Sequence, residues 1–120
     1  MERKLRDSRV LVTGGAGFIG SNLVESLLLS GNSVVCLDNF STGKRENLEE
    51  FANNQNFRLI EGDIRNYTDC QKAVENIDIV YHEAALGSVP RSIIDPISST
   101  DVNIGGFVTL LIYMRVLYLA

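Results

Sequence analysis

Apolar residues come in short blocks separated by polar turns. Val10-Leu11-Val12 and, after Ser33, Val34 to Leu37 are apolar without interruption and rich in β-branched residues. That composition suits parallel strands covered on both faces. The blocks at 57–61 and 77–81 read as a third and a fourth strand, the last leading into His82. Helical spacing fills the gaps. Residues 19–30 place Ile19, Leu23, Val24, Leu27 and Leu28 on one face, and Gly31 follows as a C′ glycine. Residues 45–53 read as a second helix carrying Leu48, Phe51 and Ala52 inward. Thr68 or Asp69 caps a third helix that runs to about residue 75. A long loop, 83–96, contains both prolines, and Ser98 or Ser99 starts a final helix.

This alternation of strand and helix predicts an α/β domain with a doubly wound parallel sheet. Right-handed crossovers give the strand order 3-2-1-4. Ligands of such sheets bind at the carboxyl ends of the strands, where the order reverses between the first and fourth. The chain of 120 residues is enough for one domain, 1–120.

The turn after the first strand changes the picture from fold to chemistry. Gly14, Gly17 and Gly20 stand at three-residue spacing between strand and helix, and Gly15-Ala-Gly17-Phe-Ile-Gly20 also fits G-x-G-x-x-G. The first glycine allows a sharp turn, the second a close approach of pyrophosphate to the backbone, and the third close packing of helix on sheet. The helix N-terminus offers free N–H groups to an anion. Asp38, at the end of the second strand, is spaced to accept hydrogen bonds from a ribose, and its charge opposes a 2′-phosphate. The pattern predicts dinucleotide binding, with NAD preferred over NADP.

Plainer readings stand beside these. A glycine-rich turn need bind nothing, and Asp38 could simply form a turn. Asp63 could accept from an adenine amino group beside the Ile64 backbone, or cap its own turn. Lys44 reads as an exposed loop lysine. His82 reads as a packed strand-end histidine rather than a catalytic base. Composition narrows the rest. A net charge of −4 with scattered basic residues excludes a nucleic-acid surface. Cys36 and Cys70 have no metal-ligand spacing, so reduced, buried thiols in a cytoplasmic setting are expected, with no metal site. The apolar run after the N-terminus is broken by glycines and is no signal peptide.

The runs Thr13-Gly-Gly-Ala-Gly-Phe-Ile-Gly20, Asp38-Asn-Phe-Ser-Thr-Gly43, Gly62-Asp63-Ile64 and His82-Glu-Ala-Ala85 resemble the extended short-chain dehydrogenase/reductase family, and its NAD-dependent sugar-nucleotide epimerases in particular. The stretch from Ala84 to Ile93, with Asp95-Pro96 and Val102-Asn103, resembles the UDP-N-acetylglucosamine 4-epimerase group most specifically. The resemblance implies a Rossmann-type NAD-binding domain. Gly14, Gly17, Phe18, Ile19 and Gly20 would cradle the pyrophosphate. Asp38, Asn39, Ser41, Thr42 and Gly43 would line the adenosine ribose, and Asp63 with Ile64 the adenine. Ala84, Ala85 and Leu86 would pass the nicotinamide half, with Asn103 behind the cofactor. Gly87, Ser88 and Arg91 would face the UDP-sugar. In this family a tyrosine takes the proton of the sugar C4 hydroxyl, NAD takes the hydride, and the 4-keto sugar turns over before the hydride returns. A homodimer and no membrane partner are implied.

The family's Tyr-x-x-x-Lys pair is absent. Tyr67 is followed by Lys72 at the wrong spacing, and Tyr81, Tyr113 and Tyr118 have no lysine after them. No Ser/Thr of the family's catalytic set is identified either. The expectation is the NAD-binding part of an epimerase, inactive alone because it lacks the acid/base. From Ile112 onward only Arg115 is charged, and the amphipathic pattern fades. That tail reads as a frameshift or premature end rather than a membrane span, for which the run from Phe107 is too short. The fourth strand would then expose an unpaired edge. Two alternatives remain open. One is a nucleotide-binding module without catalysis. The other is part of a related dehydratase or decarboxylase.

Overall fold

The computed structural model describes residues 5–84. Within them lie β1 (Arg9–Thr13), α1 (Phe18–Leu29), β2 (Ser33–Asp38), a 3₁₀ helix (Arg45–Phe51), β3 (Phe57–Glu61), α2 (Tyr67–Val74) and β4 (Ile79–His82). The strands form one parallel sheet in the order β3-β2-β1-β4, as the alternation requires. The expected final helix lies outside the described residues.

The apolar strand blocks have the expected cause. Val10 and Val12 of β1, with Val34 and Cys36 of β2, face one side of the sheet. There they pack with Val24 and Leu27 of α1 and with Leu48 and Phe51 of the 3₁₀ helix. Leu11 and Leu37 face the other side and pack with Ile64 and with Cys70, Ala73 and Val74 of α2. A strand buried on both faces has no polar face to alternate with.

Three details depart from the sequence expectation. The segment after β2 is a 3₁₀ helix, not an α-helix, and Ala52 is exposed rather than inward. Its buried residues, Leu48 and Phe51, are three apart, which in a 3₁₀ helix places them directly above one another. Ile19 belongs to no buried face: in the first turn of α1, Phe18 is 81% and Ile19 68% exposed. The cap of α2 is Asn66, whose side chain accepts the Asp69 N–H at 3.1 Å, rather than Thr68 or Asp69.

The end of α1 follows the sequence closely. Gly31 takes φ +86°. Its N–H donates to Leu28 O and that of Asn32 to Leu27 O, each at 3.1 Å, which closes a Schellman turn. The Asn32 side chain is buried and satisfied: Nδ2 donates to Leu5 O and Leu27 O, and Oδ1 accepts the Ser8 N–H. This returns the chain directly into β2.

Candidate functional site

The glycine loop between β1 and α1 is shaped by close contacts. Gly14 takes φ +71°, and a Cβ there would lie 2.8 Å from Ala84 N, so the β1 turn and the end of β4 touch backbone to backbone. A Cβ on Gly20 would meet Gly14 O, and would lie 2.8 Å from Gly15 Cα. The third glycine therefore lets α1 pack on the loop itself, and through it on the sheet. A Cβ on Gly17 would meet only Gly14 O, at 3.4 Å. Gly17 is also the N-cap of α1, which has no side-chain cap and no acidic residue in its first turn. The N–H groups of that turn keep their donors for something else.

The loop is fastened from two directions. Asp38, 8% exposed, accepts the Ala16 N–H on Oδ2 at 2.9 Å and the Phe40 N–H on Oδ1 at 2.7 Å. Ala16 O accepts the Lys44 N–H at 3.1 Å and Asn47 Nδ2 at 2.8 Å. Behind the loop stands Cys36, whose Sγ occupies the space a Cβ on Gly15 would need. Burial pushes the Cys36 thiol up to about 12, and the charge of Asp38 adds to the shift.

A cleft opens at the carboxyl ends of the strands, where β1 lies between β2 and β4. Gly14, Gly17, Asp38, Asn39, Ser41, Thr42, Gly62, Ile64, Glu83 and Ala84 line it. The cavity itself measures about 90 Å³, smaller than the roughly 300–1,000 Å³ of complete small-molecule sites. Eight of these ten residues are ones to which the resemblance gives a role; Gly62 and Glu83 stand in its runs without one. Glu83 follows β4, on the rim where the strand order reverses. Phe18, Ile19, Gly20, Gly43 and Asp63 do not line the cleft. Gly43 supports it, since a Cβ there would lie 2.7 Å from Ala16 Cβ. Ala85, Leu86, Gly87, Ser88, Arg91 and Asn103 lie outside the described residues.

Asp63 sits beside the cleft with its carboxylate turned to Arg65. Arg65 Nη2 donates to Oδ2 at 2.6 Å, and its backbone N–H donates to Oδ1 at 2.9 Å. The guanidinium holds the Asp63 carboxyl below the usual carboxylate range. At the opposite edge, Thr13 Oγ1 accepts the Ala84 N–H at 3.2 Å and lies 2.7 Å from His82 Nδ1. Burial holds the His82 imidazole below its ordinary range, with Glu83 pulling the other way. His82 is packed at the strand end, as expected.

Cys70 is buried and free like Cys36, and burial raises its thiol to about 11. Among the described residues no His/Cys/Asp/Glu cluster could hold a metal ion. No described helix is long and apolar enough to cross a membrane.

The arrangement fits a dinucleotide on its own terms. Gly17, the N-cap that leaves the first N–H donors of α1 uncapped, lines the cleft, and so does the buried Asp38 carboxylate that holds the glycine loop. Comparison with known proteins points the same way. The family described as GDP-mannose 4,6 dehydratase matches residues 11–120. A UDP-glucose 4-epimerase of Lacticaseibacillus casei is 43% identical over 104 residues, which are 85% of this chain and 30% of that protein. Among solved structures, a UDP-N-acetylglucosamine 4-epimerase from Methanobrevibacter ruminantium, in complex with UDP-N-acetylmuramic acid, matches with a TM-score of 0.82 at 39% identity, covering 91% of this chain and 34% of that one. A UDP-glucose 4-epimerase from Thermus thermophilus, in complex with NAD, matches with a TM-score of 0.79 at 42% identity, covering 89% and 33%. Similar proteins also include a UDP-glucuronic acid decarboxylase and a dTDP-glucose 4,6-dehydratase. The chain spans about a third or less of the length of these proteins.

Proposed function

The chain belongs to the GDP-mannose 4,6 dehydratase family of NAD-dependent sugar-nucleotide enzymes, and from that premise we propose that it forms the NAD-binding part of a UDP-N-acetylhexosamine or UDP-hexuronate 4-epimerase. The observation that carries the reading is one cleft lined by both buried Asp38 and Gly17, the N-cap of α1 that has no side-chain cap. Gly14 and Gly17 bring backbone to the pyrophosphate, and the first-turn N–H groups of Phe18, Ile19 and Gly20 receive its charge. Asp38 orients the adenosine ribose, with Asn39, Ser41, Thr42 and Gly43 along the same wall. Ile64 and Asp63 serve the adenine, and Ala84, Ala85 and Leu86 the nicotinamide half, with Asn103 behind. Gly87, Ser88 and Arg91 face the sugar. NAD, when bound, supplies the hydride acceptor and donor for transient oxidation at the sugar C4.

Epimerisation is chosen over dehydration or decarboxylation on the run from Gly87 to Ser92, which resembles the UDP-N-acetylglucosamine 4-epimerase group. A homodimer and a cytoplasmic setting go with the same reading. The 120 residues contain no Tyr-x-x-x-Lys, so the chain alone lacks the base for the C4 hydroxyl. The test is to titrate the purified chain with NAD and then supply UDP-N-acetylglucosamine. NAD binding without formation of the 4-epimer is expected. Epimer formation by this chain overturns its inactivity, and failure to bind NAD overturns the reading itself.

A further inference from the structure

The β2 and β3 ends of the cleft are tied together by side chains. Ser41 N–H donates to Asn39 Oδ1 at 3.0 Å, and Asn39 Nδ2 donates to Asp63 Oδ2 at 3.2 Å. Arg65 grips the same carboxylate as a fork, with Nη2 at 2.6 Å from Oδ2 and Nε at 3.0 Å from Oδ1 and 3.1 Å from Oδ2. Asn39 and Ser41 line the cleft, whereas Asp63 and Arg65 stand behind them.

We propose that Arg65 is a positioning residue for the cofactor: through Asp63 it holds Asn39, and through Asn39 the Ser41 backbone, at the wall that receives the adenosine half. This rests on the NAD reading above. Stability does not account for the arrangement, because the Arg65 side chain is 43% exposed and such pairs contribute little. Geometry does, because a guanidinium fork fixes the direction of a carboxylate as an ammonium cannot. Charge gives a second reason. Asp38 and Glu83 line the cleft, Asp63 adjoins it, and no lysine or arginine is among the described lining residues. A pyrophosphate ligand meets three carboxylates, and Arg65 neutralises one of them.

The test is calorimetric titration of the full chain with NAD and with ADP-ribose, comparing Arg65→Gln, Arg65→Lys, Asn39→Ala and the double variant Asn39→Ala/Arg65→Gln. Arg65→Gln is expected to weaken both ligands about tenfold, the size of one well-made charged hydrogen bond, with the unfolding midpoint little changed. Arg65→Lys, which keeps the charge without the fork, falls between. Arg65→Gln added to Asn39→Ala costs little more, because both act through one contact. The proposal is overturned if Arg65→Gln binds like the unaltered chain, if ADP-ribose is unaffected, or if the two losses multiply. An unaltered chain that binds neither ligand overturns the NAD reading first, and this role with it.

Discussion

Asp38 and Ala16 are joined by a buried hydrogen bond of 2.9 Å, from the Ala16 N–H to the Asp38 carboxylate, that fastens the glycine loop to the end of β2. The other carboxylate oxygen takes the Phe40 N–H at 2.7 Å. One side chain therefore sets both the loop below the cleft and the loop beside it. Asp38→Asn keeps the shape but leaves one acceptor for two backbone donors. It is expected to cost about 2 kcal/mol of stability, the scale of a lost buried hydrogen bond, and to weaken NAD binding. Urea denaturation and NAD titration of the variant check both.

Gly15 and Cys36 form a second coupled pair. A Cβ on Gly15 would run into Cys36 Sγ. Gly15→Ala is expected to destabilise by about 1–3 kcal/mol through overpacking. Cys36→Ala removes the obstacle, so the double variant should be more stable than the sum of the singles by about 1 kcal/mol. Simple additivity in denaturation experiments would count against the contact.

The buried thiols make a chemical prediction. Burial raises Cys36 to about 12 and Cys70 to about 11, so neither is a thiolate near neutral pH. The folded chain should resist iodoacetamide at mildly alkaline pH, and both thiols should react once it is denatured. Fast labelling of Cys36 in the native state would mean that the packing behind the glycine loop is open.

His82 makes stability depend on pH in one direction. Its folded-state pKa is lowered by burial, so the unfolded chain binds the proton more readily. The contribution is complete above the unfolded value, near 6.5, and is lost as pH falls toward the folded value. Stability should therefore rise with pH in the window just below 6.5. His82 is the chain's one histidine, so His82→Gln should flatten that window in pH-resolved denaturation.

The sheet was legible because β1 and β2 carry no polar face, and because glycine and asparagine turns separate the elements cleanly. The 3₁₀ helix was not, since Leu48 and Phe51 at a spacing of three suit either helix type. Its form goes with tertiary bonds: Lys44 N–H and the Asn47 side chain both reach Ala16 O. Ile19 looked like core because its spacing fits the apolar face of α1. It is exposed together with Phe18 in the first turn of α1, next to the N-cap Gly17 that lines the cleft. The cap of α2 was ambiguous because Asp69 is a good capping residue; here its carboxylate accepts the Asp63 N–H instead, at 2.9 Å.

Within the cleft, Asp38 was legible from its distance to the glycines and its place at a strand end. The Arg65 grip on Asp63 was not, since a sequence does not give the direction of a long side chain. Glu83 belongs to the run from His82 to Ala85, which implies no role for it, so only its place on the rim marks it as a lining residue.

If the cleft at the ends of β1, β2 and β3 takes the adenosine-pyrophosphate half of NAD, the backbone amides around it will report the ligand. Titrating the 15N-labelled chain with NAD and following its amide signals tests this directly. Saturable shifts at Gly14, Gly17, Asn39, Ser41, Thr42 and Ile64, reproduced by ADP-ribose and weaker with NADP, are the predicted result. No shifts, shifts away from these residues, or equal binding of NADP would contradict it.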